Sequence, residues 1–163
     1  MLLPCAPASV AVARRELCAE LRAAGIFDSA VRDAALVVSE LLSNAILHAY
    51  PLPGGSLRVT WDVGGHCVEV AVSDGGSSTR PQASHASVSS LGGRGLAIVA
   101  HLCDAWGVRK DGAGLTVWAV IRAPRYGNGV GAGDRPGGVT QWAAAPDCAE
   151  INGTIARHGA REA

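Results

Sequence analysis

The stretch VVSELLSNAILHAYP, Val37 to Pro51, sets a glutamate, an asparagine and a histidine four residues apart in a segment that is otherwise almost wholly apolar. Residues four apart in a helix advance by about 40° and rise about 6 Å, so Glu40, Asn44 and His48 form one slowly turning polar stripe. Around it stand Val37, Val38, Leu41, Leu42, Ala45, Ile46 and Ala49. A helix apolar nearly all round is buried, and a carboxylate on it is costly unless it is paired or faces a cleft. Two readings follow. In the plainer one Glu40 meets an arginine, Asn44 bonds to backbone and His48 is a satisfied core histidine. In the other the stripe lines a functional site. Taken alone, the segment favours the plainer reading, and the rest of the chain shifts the balance.

Asp28 or Ser29 is placed to cap this helix, and Pro51 and Pro53 end it. Ahead of it, Ser9 is a suitable N-cap for a first helix carrying Val10, Val12, Ala13, Leu17 and Leu21 at helical spacing, which stops at Gly25. Behind it, SLRVTWDV and HCVEVAVSD read as two strands joined by a turn at Gly64-Gly65. The second strand runs into Asp74, and Gly75 and Gly76 then permit a tight turn and the close approach of a flat ligand. From Gly75 to Leu91 the chain is small and polar without periodicity, a long loop of the kind that is usually functional or disordered. Next, GGRGLAIVAHLCDAW opens on glycines and continues as a helix. Gly92, Gly93 and Gly95 around Arg94 put backbone N–H groups and a guanidinium at that helix start, which suits phosphate. It is neither a Walker A loop, for want of a Lys-Ser/Thr pair, nor a Rossmann turn, for want of a preceding strand. AWGVRK and GLTVWAVIR form a last hairpin around Asp111-Gly112.

With 163 residues, the chain suffices for one sizeable core. A formal net charge of zero, with 17% charged residues, leaves no electrostatic footprint for nucleic acid. The five cysteines are scattered and never paired as C-x-x-C, which argues against a disulfide framework or a zinc site and for a reducing cytosol. No apolar run is long enough to span a membrane, and the N-terminus lacks the pattern of a signal peptide. The expected division is a domain over residues 1–122 and a Gly/Ala/Pro-rich tail over 123–163 that lacks the apolar pattern to pack and is expected to be disordered.

Taken in order, ELLSNAILHA, DGG after a strand, GGRGLAIV opening a helix, and GLTVW closely resemble the GHKL superfamily of histidine-kinase-like ATPases. Within it, AWGVR and GLTVWA are most similar to the anti-sigma-factor serine/threonine kinases of actinobacterial type. The resemblance covers about Pro4 to Ile121, and its three motifs are jointly specific although each is weak alone.

That resemblance implies a Bergerat-type α/β (α+β) two-layer sandwich, with helices on one face of a mixed, mostly antiparallel sheet and ATP between the layers. It implies that Asp74 accepts a hydrogen bond from the adenine amino group, with Gly76 making room for the ring and Thr116 supporting that side of the pocket. Asn44 would hold Mg²⁺ against the phosphates; Gly93, Arg94, Gly95 and Leu96 would meet the phosphate end; residues from about Ser77 to Leu91 would form a lid. Glu40 would activate the attacking hydroxyl, while His48 is expected only to pack. The implied function is a cytoplasmic, ATP-dependent regulator of transcription that phosphorylates a small antagonist protein, sequesters a sigma factor, or both. A non-catalytic ATP-binding interaction module is the alternative, and a homodimer is compatible with either. Relatives begin with an extra strand ahead of the Leu-Pro that stands here at Leu3-Pro4, so the presence of an edge strand stays open.

Overall fold

The computed structural model describes residues 1–76, 93–111 and 114–126, those at 93–95 and 111 by backbone alone. The elements run β1 (Leu2–Pro4), α1 (Ala8–Ala23), α2 (Asp28–His48), β2 (Ser56–Gly64), β3 (Cys67–Asp74), α3 (Gly93–Leu102), β4 (Ala105–Asp111) and β5 (Gly114–Arg122). The strands make one five-stranded sheet in the order β1-β2-β3-β5-β4, and every pairing is antiparallel. It is the expected two-layer α+β architecture, with no parallel pair among the described strands.

Alternation decides which side of each strand meets the helices. On β3 the even-numbered Val68, Val70 and Val72 join the core with Leu17 and Leu21 of α1 and Val37, Val38, Leu41 and Leu42 of α2. On β5 the odd-numbered Ala119 and Ile121 do the same. Each such side chain, fully buried, contributes about 1.5–3 kcal/mol relative to exposure, and α2, apolar over most of its circumference, collects the largest share. It lies across β3 and β5 with α1 and α3 beside it.

Several local expectations need correction. The open question of an edge strand is answered by the chain's own start, since Leu2–Pro4 pairs antiparallel with β2 from Leu2↔Arg58 to Pro4↔Ser56. Ser9 does not cap α1: the helix begins a residue earlier, and the Ser9 hydroxyl donates to the Pro4 carbonyl at 2.6 Å instead. Neither Asp28 nor Ser29 caps α2, whose N-cap is Phe27 without a side-chain bond. The first hairpin turns one residue later than the Gly64-Gly65 pair suggests, because Gly64 still pairs with Cys67, and Gly65, at φ +55°, takes the left-handed position. Of the expected tail only residues 123–126 are described: Ala123 is buried, the carbonyl of Pro124 accepts from the Phe27 N–H at 3.0 Å, and the remainder of the tail lies outside the described residues. Among the cysteines, Cys5, Cys18 and Cys103 are free, whereas Cys67 is disulfide-bonded. An odd, scattered set thus does not exclude a single cross-link.

Candidate functional site

Helix α2 carries Glu40 and Asn44 one turn apart, both half-buried. The plainer reading of this stripe does not hold. Glu40 has no ion pair with any described residue, and the Asn44 side-chain nitrogen Nδ2 is buried without a hydrogen-bond partner. A buried donor left unmade costs about 1–3 kcal/mol, a cost that a bound acceptor would relieve. His48, expected to pack, is instead exposed in the last turn of α2.

Beyond α2 the chain turns extended at Ala49, and Tyr50 meets the end of β3. Gly75 N–H donates to the Tyr50 carbonyl at 2.8 Å, and Tyr50 N–H donates to the Gly76 carbonyl at 3.0 Å. This close approach is why residue 75 is glycine: a Cβ there would run into the Pro51 carbonyl oxygen. Gly76 sits at φ +91°, in the region that L side chains avoid.

The turn presents Asp74, which is 6% exposed. Its Oδ1 accepts from Gly76 N–H at 2.6 Å, and Leu115 on β5 pairs directly opposite it. Burial pushes the Asp74 carboxyl above its ordinary range, and the backbone N–H groups of Gly76 and Leu115 pull against that rise. An ionised carboxylate offers about four acceptor directions, so capacity remains for a donor such as an exocyclic amine.

Thr116 is not brought to this group. Its hydroxyl lies 2.8 Å from the Ser73 hydroxyl, and the register Ser73↔Thr116 and Asp74↔Leu115 puts the two pairs on opposite faces of the sheet. Directly opposite Asp74 stands Leu115. A backbone N–H carries no side-chain signature, and only the β3–β5 register, invisible to a hairpin reading, reveals it.

At the phosphate end, α3 begins at Gly93, so the glycine turn does feed a helix N-terminus. Leu96 is buried. The side chain of Arg94 and the expected lid, about Ser77 to Leu91, lie outside what is described.

Among the described residues no group of three His, Cys, Asp or Glu stands ready to hold a metal. Magnesium, for its part, keeps several waters and takes one or two protein ligands together with substrate phosphates. Asn44 suits the part: as placed, its Nδ2 offers a donor to a phosphate oxygen, and with the amide turned over its Oδ1 offers a metal ligand. An open cleft of about 450 Å³ lined by Met1, Glu16, Glu20 and Trp61 includes none of these residues.

Residues 3–121 match the sequence profile of the histidine kinase-like ATPase domain. The chain belongs to this family. As a histidine kinase-like ATPase domain it is an ATP-binding unit, with the ATP-dependent activity that such a domain implies. A comparison with curated proteins returns no match. Among the described residues, no helix of this ATPase domain is long and apolar enough to cross a membrane.

Proposed function

We propose that the protein is an ATP-dependent serine/threonine kinase of the partner-switching type, acting in the cytoplasm on a small antagonist protein, with a sigma factor as its competing partner. The observation that supports catalysis over mere binding is Glu40: half-buried, one turn from the unsatisfied Asn44, and without a partner of its own among the described residues. A carboxylate left unpaired one turn from Asn44 is available as a base, a group that a pure binding module does not need.

In this reading Asp74 accepts from the adenine amino group, Gly76 leaves room for the ring, and the N-terminus of α3 with Gly93, Arg94 and Gly95 faces the phosphates. Asn44 would hold Mg²⁺, whose charge would offset that of the phosphates. Glu40 takes the proton of the attacking serine hydroxyl as its oxygen bonds to the γ-phosphorus and the bond to ADP breaks. Positioning and charge neutralisation supply most of such a reaction, and one base supplies the rest.

The test is transfer of label from γ-labelled ATP to a partner captured from the native host. Glu40→Gln keeps size and hydrogen-bonding capacity, so ATP affinity should hold while transfer falls about 10²- to 10⁴-fold. Wild-type protein that transfers nothing while ATP still changes partner affinity would establish the non-catalytic module instead. Transfer by Glu40→Gln at the wild-type rate would make Glu40 a structural residue.

A further inference from the structure

Helix α2 has three sides occupied: the sheet lies beneath it, and α1 and α3 flank it. At about 100° per residue, Arg32, Leu36, Glu40, Ser43 and Leu47 fall within about 80° of one another and make up the fourth side, which faces solvent. Arg32 is exposed there, Leu36 is 41% exposed and Leu47 72%, while Glu40 and Ser43 between them are half-buried. A single exposed leucine is ordinary on a protein surface. Here two share one strip, about 16 Å apart, with Glu40 in the interval.

Glu40 stands at the border of this strip. About 40° further round the helix comes Asn44, on the side of α3. Asp33, between the two in angle, is near enough to Cys103, just past the end of α3, for its charge to add to burial and to Asp104 in pushing that thiol up to about 12. A nucleotide held by Asn44 therefore lies to one side of Glu40, and an incoming hydroxyl has the other side, the open strip, from which to approach.

The strip carries charge as well as apolar surface. Arg32 has no ion pair with any described residue, and it stands one turn before Leu36. A chain lying along α2 would meet in order a cation, an apolar side chain, the carboxylate and a second apolar side chain. Along the helix these are separated by about 6, 6 and 10 Å, which an extended chain at about 3.3 Å per residue covers in about two, two and three residues.

We propose that this strip is the docking surface for the phosphoacceptor, a segment of a partner protein in which a serine or threonine stands between two apolar residues with an acidic residue beyond one of them. The proposal rests on the kinase reading for the role of Glu40, but docking is measured without transfer. The leucines hold the segment by apolar contact, Arg32 pairs with its acid and sets its direction, and the hydroxyl is left over Glu40.

Immobilised synthetic peptides, each with one serine at its centre and randomised flanks, provide the test. They are offered to the full chain with Mg²⁺ and γ-labelled ATP, and bound protein and transferred label are read separately. Bound peptides should be enriched in apolar residues on both sides of the serine and in Asp or Glu beyond one of them. Leu36→Asp and Leu47→Asp, both at exposed positions, should weaken that binding about tenfold or more, the scale of one leucine withdrawn from contact, with melting temperature and ATP affinity unchanged. Arg32→Glu should turn the acidic preference into a basic one. Peptides bound in this way without receiving label would leave the docking strip standing and end the kinase reading. Label transferred without flanking preference, and equally well by the leucine variants, would keep the kinase and overturn the strip. Absence of selective binding overturns it too, as does a wild-type chain that self-associates and is dissociated by Leu47→Asp, which would make the strip an interface between copies.

Discussion

Two buried polar atoms of the described chain have no hydrogen-bond partner, Asn44 Nδ2 and Glu69 Oε2, and the sheet separates them. Asn44 is a neutral amide on α2, one turn from an unpaired carboxylate, on the helical side of the sheet. Glu69 is an acid in mid-strand on the outer face, half-satisfied by Arg109 at 3.4 Å through its other oxygen. The same local defect thus has two meanings. In the proposed function the orphaned amide beside a free carboxylate meets a ligand, whereas an orphaned carboxylate oxygen with a cation on its twin is a charge held by the strand around it. Burial raises the Glu69 carboxyl; Arg109 lowers it by less, and Asp62 adds a small rise.

Substitutions on the two sides should separate these meanings. The largest effect is expected at Asp74→Asn, which exchanges an ionic acceptor for a weaker one and turns an NH₂ toward the adenine donor. Calorimetry should show ATP affinity down about 10- to 150-fold, the loss of a charge-assisted hydrogen bond worth about 1.5–3 kcal/mol. Asn44→Ala comes next, with Mg²⁺-ATP affinity down by about tenfold or more, while the nucleotide-free protein melts within about 3 °C of wild type because no protein partner is lost. A large drop in its nucleotide-free melting temperature would mean that the amide is structural, and the contrast with Glu69 would fail.

Gly75→Ala places a methyl group against the Pro51 carbonyl, and an overpacked contact of this kind costs about 1–3 kcal/mol. Denaturant titration should show that loss, accompanied by weaker ATP binding because Asp74 moves with the turn. The smallest effect is at Glu69→Gln, less than about 1 kcal/mol near pH 7, since relief of a buried charge and loss of a long ion pair oppose one another. Its pH dependence is the sharper reading. The folded value of Glu69 is raised, so its contribution is whole below 4.5, the ordinary value, and is lost as pH rises through the raised value. The stability difference between wild type and Glu69→Gln should therefore turn against wild type across that interval. Asp74 runs in the same direction, upward from 3.8, and a curve for Glu69→Gln that keeps its remaining acid-range slope would identify Asp74 as the source.

What the sequence makes legible follows from where the information resides. The polar stripe of α2 stands out because three polar residues interrupt an apolar helix, and the Asp-Gly-Gly turn because aspartate and glycine have strong local preferences. Glu69 is silent, since in VEVAV a polar residue at alternate positions reads as the wet side of a strand, and nothing local reveals that this side is dry. Leu115 is silent because its contribution is a backbone N–H. Strand β1 is hard to see since three residues make a pattern too short to recognise. The capping residues mislead because α1 already begins at Ala8, which puts Ser9 inside the first turn, past the position from which a side-chain oxygen can accept from the free N–H groups.

The reciprocal backbone pairing of Tyr50 with Gly75 and Gly76 makes the end of α2 and the turn after β3 a single piece, so the span between Asn44 and Asp74 behaves as a fixed gauge. In the proposed function these are two anchors at an unchanging separation, which act on ATP as the jaws of a chelator do. A molecule that fits both loses its translational freedom once, whereas two fragments, each held by one jaw, lose it twice. Adenosine and magnesium pyrophosphate offered together should therefore fall far short of ATP, even though between them they present nearly the same contacts.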